Sequence, residues 1–475
     1  MSLNLNQRIH AFQNNASNPH THTSSMKWSA LAIALTAVLF SQSAAAESES
    51  LLDVNHASTQ TGQRHLNFEQ ILQDVKQHQA GIGVWQTQQS IAEANVKQAG
   101  LWANPSFSIQ QTEFRSGKDK ELEFGLSQKL DVFGERRAAV KLADVQASQV
   151  GLNQQLYDAQ LELAVKYLWS QVVVLELEHD VVQAQLKTSQ ATLDATRLRL
   201  KAGSIAQVDL DRTLMSHIEN QRLFQQTELA LATAKRQLAN LWGSTDNRFS
   251  AQASNVWPQQ QDLQSYMQNN LFERAIQLDI ARQKANIDYL KVSNRPNPTV
   301  NLGMVQSKTV ETNSTDNKFR VGIDIPLNIF NRQQYSLRIA NAKQDLLVKQ
   351  QQFYKQQNLN AIQTLSAELA GLKQQFDLVS QRQIPLSETV QEKMLLGFKV
   401  GKYAITDVQQ ATMQLQEQRL NKVQLLKSAW QKQIEAESLA LGIEPSMVSS
   451  SDALNQINQT LWKETNNLPT VVGAE

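Results

Sequence analysis

Cysteine is missing altogether from the 475 residues, and proline (nine), glycine (17) and aromatics (6%) are sparse. Without cysteine there can be no disulfide framework, no cysteine zinc site and no N-terminal lipid anchor on a cysteine. So little glycine excludes a collagen-like chain. A surplus of charge is lacking too: 45 basic side chains stand against 44 acidic ones, a formal net charge of +1. Nucleic-acid binders need a basic excess to neutralise phosphates, so no nucleic-acid partner is expected. A mean hydropathy of −0.41 excludes a bundle of membrane-spanning helices. It leaves a β-barrel open, because alternating strands barely move the average.

Catalytic signatures are equally scarce. There is no phosphate loop, nucleophile elbow or supported carboxylate pair, so neither an enzyme nor a cofactor is expected. Gly81-Ile-Gly83 is an isolated pair on a predicted helix, not a dinucleotide site. Outside the N-terminal region the histidines are His56, His65, His78, His179 and His217. None makes an i, i+4 pair, so no metal site is expected.

One long apolar run is present. It follows Lys27 from Trp28 to Phe40 and ends in Ser41-Gln-Ser-Ala-Ala-Ala46, an A-x-A type cleavage site. The run is short for a bilayer span and reads as a secretory signal over 1–46. Met26 directly precedes Lys27, so a second reading starts the chain there.

What remains repeats itself. Asn104-Pro105 recurs as Asn297-Pro298, and Leu130-Asp-Val-Phe-Gly-Glu-Arg-Arg137 as Leu327-Asn-Ile-Phe-Asn-Arg-Gln-Gln334. Arg199-Leu-Lys-Ala-Gly203 with Asp209 recurs as Phe398-Lys-Val-Gly401 with Asp407, and Leu241-Trp-Gly243 as Leu441-Gly442. The offset stays near about 195 residues, the signature of a duplicated unit. The units run from 47 to 242 and from 263 to 442, separated by 243–262 and followed by a polar tail, 443–475.

Within each unit the period switches. Residues 68–102 read as helix, stopped by Asn104-Pro105. Segments at about 106–114 and 121–130, and again at about 299–309 and 318–327, alternate apolar and polar residues as strands do. Val300, Leu302 and Met304 alternate with Asn301 and Gly303; Phe319, Val321, Ile323 and Ile325 alternate with Arg320, Gly322 and Asp324. Such strands suit lipid on one side and water on the other, or equally a hairpin lying on a soluble core.

Long helical stretches follow, 134–202 and 331–400. Near 1.5 Å per residue, about 70 residues reach ~105 Å, too long for a globular domain. Heptad steps appear at Leu365, Leu369, Leu372, Phe376 and Val379, and at Leu186, Leu193 and Leu200. Val172, Val173 and Val174 lie off that seam, so the first helix needs neighbours on several sides. Pro385 must kink or interrupt the second. Gly203 and Gly401 suit reversals, after which helices of about 35–40 residues return. Four strands cannot close a barrel and would leave edges unpaired in lipid, so protomers must associate in a ring of eight or twelve strands.

With these hairpins, long helices and glycine turns, the chain resembles the TolC-like outer-membrane factors of tripartite efflux systems, over roughly residues 66–442. Pro326-Leu-Asn-Ile-Phe-Asn-Arg332 is more similar to the cobalt–zinc–cadmium resistance branch than to the multidrug branch. The resemblance implies a mainly α protein with a β-barrel portion. It implies a homotrimer whose twelve-stranded barrel sits in outer-membrane lipid and continues into a long α-helical periplasmic tunnel. Residues 243–262 and the tail would form a belt around the tunnel. Its implied partners are a periplasmic adaptor (membrane fusion) protein and an inner-membrane RND pump. Its implied cargo is heavy-metal cations, with drugs or polypeptides as the alternative and a secreted scaffold or adaptor as the distant one. By the same resemblance Lys201, Gly203, Ser204, Lys399, Gly401 and Lys402 form the adaptor-contacting tips. Asp209 and Asp407, six residues past their glycines and so ~9 Å up the returning helices, would line the entrance. Gln410 stands where many relatives carry a second aspartate. The other reading makes both aspartates helix N-caps.

Overall fold

In a computed structural model the described residues are 64–80, 83–113, 117–245, 248–251, 257–259 and 263–466. The proposed signal and the last nine residues lie outside them.

The first helical stretch is two helices, α1 (Phe68–Ala80) and α2 (Val84–Ala99), rather than one. Gly83, between them, is at φ +64°, which no α-helix allows. Gly83 therefore marks the N-terminal boundary of α2 and not a place inside a helix; Gly81 lies outside the described residues. A short strand β1 (Arg64–Leu66) precedes them.

The four alternating segments form one antiparallel sheet. β2 (Ser106–Thr112) and β3 (Lys120–Lys129) make the first hairpin, β5 (Thr299–Thr309) and β6 (Ser314–Asp324) the second, in the order β2-β3-β5-β6. The two copies of the repeat join along β3 and β5, with Phe124 opposite Met304 and Leu126 opposite Leu302. Register sorts most side chains by polarity, with Val305 on the polar face and Gln111, Gln128 and Gln306 on the apolar face among the exceptions. Phe107, Ile109, Leu122, Phe124, Leu126, Val300, Leu302, Met304, Phe319, Val321 and Ile323 share one face. Ser106, Ser108, Gln110, Glu123, Asn301, Lys318, Arg320 and Asp324 share the other. The apolar face is uncovered: Phe319 is 86% exposed and Val321 74%.

Two strand limits differ from expectation. β2 stops at Thr112, and β6 spans Ser314–Asp324 instead of 318–327. The polar residues 314–317 continue the ladder against Gln306–Thr309, so the turn shrinks to four residues around Asn313. Pro326 lacks an amide donor, so the ladder cannot run on through it to 327.

α3 (Glu135–Lys201) is one helix of 67 residues, about 100 Å long. α4 (Gln207–Asn240) returns along it. In the second copy α6 (Leu271–Ser293) leads to β5, and α9 (Ile405–Leu441) is the returning helix. Between them α7 (Gln334–Leu378) and α8 (Ile384–Lys399) are separated by a π-helical turn, Val379–Gln383. Pro385 explains it: its ring excludes the carbonyl four residues back, and a widened turn absorbs the misfit.

The main core sits midway along α3. Leu161, Val165, Leu168, Trp169, Val172 and Val173 pack there against Leu238 of α4 and Leu426 and Trp430 of α9. Trp169 and Trp430 meet edge to face with centroids 5.5 Å apart. Consecutive valines 172–174 are all buried because helices surround α3 at this level. The segments flanking the second repeat gather at the same height. β4 (Phe249–Ala251) pairs in parallel with β1, and α11 (Ala453–Asn466) buries Ala453, Ile457 and Leu461 in this core. α5 (Leu263–Gln268) and α10 (Pro445–Val448) complete the order.

Candidate functional site

The two glycine tips close α3 onto α4 and α8 onto α9. At the first, the Ser204 amide donates to the Arg199 carbonyl at 2.9 Å and the Gly203 amide to Leu200 at 2.9 Å. At the second, the Lys402 amide donates to Gly397 at 2.8 Å and the Gly401 amide to Phe398 at 3.0 Å. These are two copies of one Schellman motif, which requires a left-handed residue. Gly203 and Gly401 supply it at φ +70° and +84°. Each turn then leads to an extended alanine, Ala206 or Ala404, at the N-cap of the returning helix.

That geometry relocates the aspartates. Asp209 and Asp407 are each the third residue of their helix, in its first turn and not ~9 Å up it. Three to four residues of each glycine-to-aspartate interval belong to the turn, so less helix intervenes than the spacing suggests. Neither is the N-cap. Asp407 instead reaches back from the first turn and accepts the Ala404 amide at 3.1 Å. This is half of a capping box, the alanine having no side-chain oxygen to complete the other half. Asp209 makes no such bond, and its carboxylate is unpaired among the described residues. The two carboxylates are thus equivalent in position and different in freedom. Gln410 is exposed one turn further along α9.

Lys201, Ser204, Lys399 and Lys402 are all exposed on the tips. Lys402 lies 5.7 Å from the Tyr403 ring. The tips are bound to each other by Arg199, a residue no spacing argument had singled out for this role. Its guanidinium sits 4.5 Å over the Phe398 ring and donates Nη1 to the Phe398 carbonyl at 3.1 Å. Beneath, Phe398, Ile405 and Val408 are buried against Ala195, Met394 and Leu395. Deeper still, Gln409 donates to Thr213 at 3.3 Å, tying α9 to α4, and Gln391 donates to Thr412 at 3.2 Å. The usable clue to Arg199 lay in the repeat: its counterpart is Gly397, against which Tyr403 packs.

Among the described residues no three His, Cys, Asp or Glu side chains converge as metal ligands. Buried His217 is engaged by Ser189 at 2.9 Å and Gln221 at 3.1 Å. No helix among the described residues is long and apolar enough to cross a membrane.

No family model matches the chain. The cobalt–zinc–cadmium resistance protein CzcC of Cupriavidus metallidurans is 24% identical over 266 residues. That match takes in 53% of this chain, and the chain spans 62% of CzcC's length. Solved structures agree over far more. The outer-membrane protein VceC of Vibrio cholerae superposes with a TM-score of 0.63 at 15% identity, over 79% of this chain and 96% of VceC. CusC, solved in connection with transmembrane channel formation, gives 0.62 at 15% identity over 79% and 92%. The outer-membrane channel OprN gives 0.62 at 14% identity over 80% and 90%. The chain therefore has the fold of these outer-membrane channel proteins, the TolC-like fold its sequence resembles.

Proposed function

We propose that the protein is the outer-membrane channel subunit of a tripartite RND-type efflux system, a passive exit duct that carries heavy-metal cations out of the periplasm. One observation carries the reading: a four-stranded sheet, largely apolar on one face and polar on the other, with both edges open among the described residues, standing at the end of a ~100 Å helix. In lipid such edges cost too much to leave unpaired. Three copies, β2 of one pairing with β6 of the next, give twelve strands with lipid outside and water inside. The helices then continue the duct through the periplasm, and the tips meet the adaptor. Likeness to CzcC, a cobalt–zinc–cadmium resistance protein, supports metal cargo.

At the entrance Asp209 and Asp407 would supply six carboxylates per trimer, with Gln410 leaving the charge ring thinner. Such a ring favours cations and holds the opening narrow. Deleting the gene and scoring growth on zinc, cadmium and cobalt tests the cargo. Metal sensitivity restored by the intact gene supports it; unchanged metal tolerance with sensitivity to drugs would replace metals with drugs.

A further inference from the structure

The polar face of the sheet carries an ion pair that crosses a strand. Register sets Ser108, Gly125, Gly303 and Arg320 in one row, so two glycines leave the middle of that row without side chains. Arg320, on β6, extends across β5 and donates Nη1 to Glu123 Oε1 of β3 at 2.8 Å. A Cβ built on Gly303 would stand 3.6 Å from that same Oε1 and 3.7 Å from Arg320 Cβ. The pair therefore lies down against the backbone at the gap that Gly303 provides. It is not hidden by this: Arg320 is 64% exposed and Glu123 29%. The other charges of this face are largely engaged nearby. Lys318 pairs with Asp316 at 3.7 Å, Lys129 reaches Glu135 at 3.3 Å, and Asp324 accepts from Asn301. Glu121, further out on β3, completes them.

We infer that the Arg320–Glu123 pair sets the ion selectivity of the barrel lumen by holding one level of its wall electrically neutral. The inference rests on the reading of the polar face as a pore lining. In a closed ring of three sheets, loss of either partner leaves three like charges at one height, and a charged ring draws in its counter-ions. Arg320→Gln strips the cations and makes the lumen more cation-selective. Glu123→Gln strips the anions and makes it more anion-selective. Exchanging the two residues, R320E with E123R, keeps the pair and restores neutrality.

Reversal potentials of the purified protein in planar bilayers test this, in KCl near about 10 mM, where the screening length is roughly 30 Å. The expected result is a severalfold rise in the K+/Cl− permeability ratio for Arg320→Gln, a severalfold fall for Glu123→Gln, and the wild-type ratio for the exchange. Conducting variants whose ratios do not move, or move in the same direction, would overturn the inference and leave the channel standing. A wild-type protein that never conducts would instead overturn the channel reading, and this inference with it.

Discussion

Gly397 and Tyr403 decide how tightly the second tip closes. A Cβ on Gly397 would fall 2.2 Å from Tyr403 Cδ2, an impossible approach for a ring fixed inside a turn. Gly397→Ala should therefore lower the thermal stability of the folded protein, and Tyr403→Ala in the same chain should recover most of the loss. A thermal unfolding series on the single and double variants reads it directly, and equal losses with and without Tyr403 would contradict the clash. The aspartates separate by the same kind of reasoning. Asp407→Ala removes a cap and should cost about 1 kcal/mol, whereas Asp209→Ala, with no bond to lose, should leave stability near wild type. Both together should raise single-channel conductance and lower cation selectivity; unchanged currents would remove the gate from the account. The sequence offered Asp407 as an N-cap; that it caps from the third helical position was not legible, because the N-cap itself is an alanine with no Ser/Thr/Asn/Asp oxygen to notice.

At the scale of elements, the core around Trp169 and Trp430 couples α3 to α9 and, through its neighbours, to α1, α4, β4 and α11. Trp430→Ala opens a large cavity at that junction and should cost about 3–5 kcal/mol, seen as a fall of the unfolding midpoint with secondary structure retained below it. A midpoint within a degree or two of wild type would mean the helices hold one another elsewhere. Several elements could be read from periodicity alone. Phe319, Val321 and Ile323 announce a strand by strict alternation, and seven-residue leucine steps announce the long helix. What could not be read was which strand joins which. The β3–β5 seam links residues about 180 apart in sequence, and Phe124 opposite Met304 is a packing choice that neither segment encodes by itself. Ends were missed where polar residues keep pairing: Ser314–Asn317 resemble a turn in composition, yet they extend the β5–β6 ladder. The π-helical turn belongs in the same class, since Pro385 predicts a disturbance without saying how the chain absorbs it.

For the whole molecule, the apolar sheet face and the edges of β2 and β6, unpaired among the described residues, make one requirement between them. On the proposed reading, a chain whose lipid-facing surface is four short strands keeps balanced charge and modest hydropathy, and belongs in a membrane only if copies of it close the ring. The lack of cysteine turns that requirement into a clean experiment. Ser108→Cys on β2 can be combined in turn with Asp316→Cys, Lys318→Cys and Gly322→Cys on β6, all positions on the polar face. Oxidation of membranes containing each double variant, followed by denaturing electrophoresis without reductant, shows which edges meet. The account predicts that at least one pairing yields covalent dimers and trimers and nothing larger. Monomers alone in every pairing, or a ladder running past three, would contradict it.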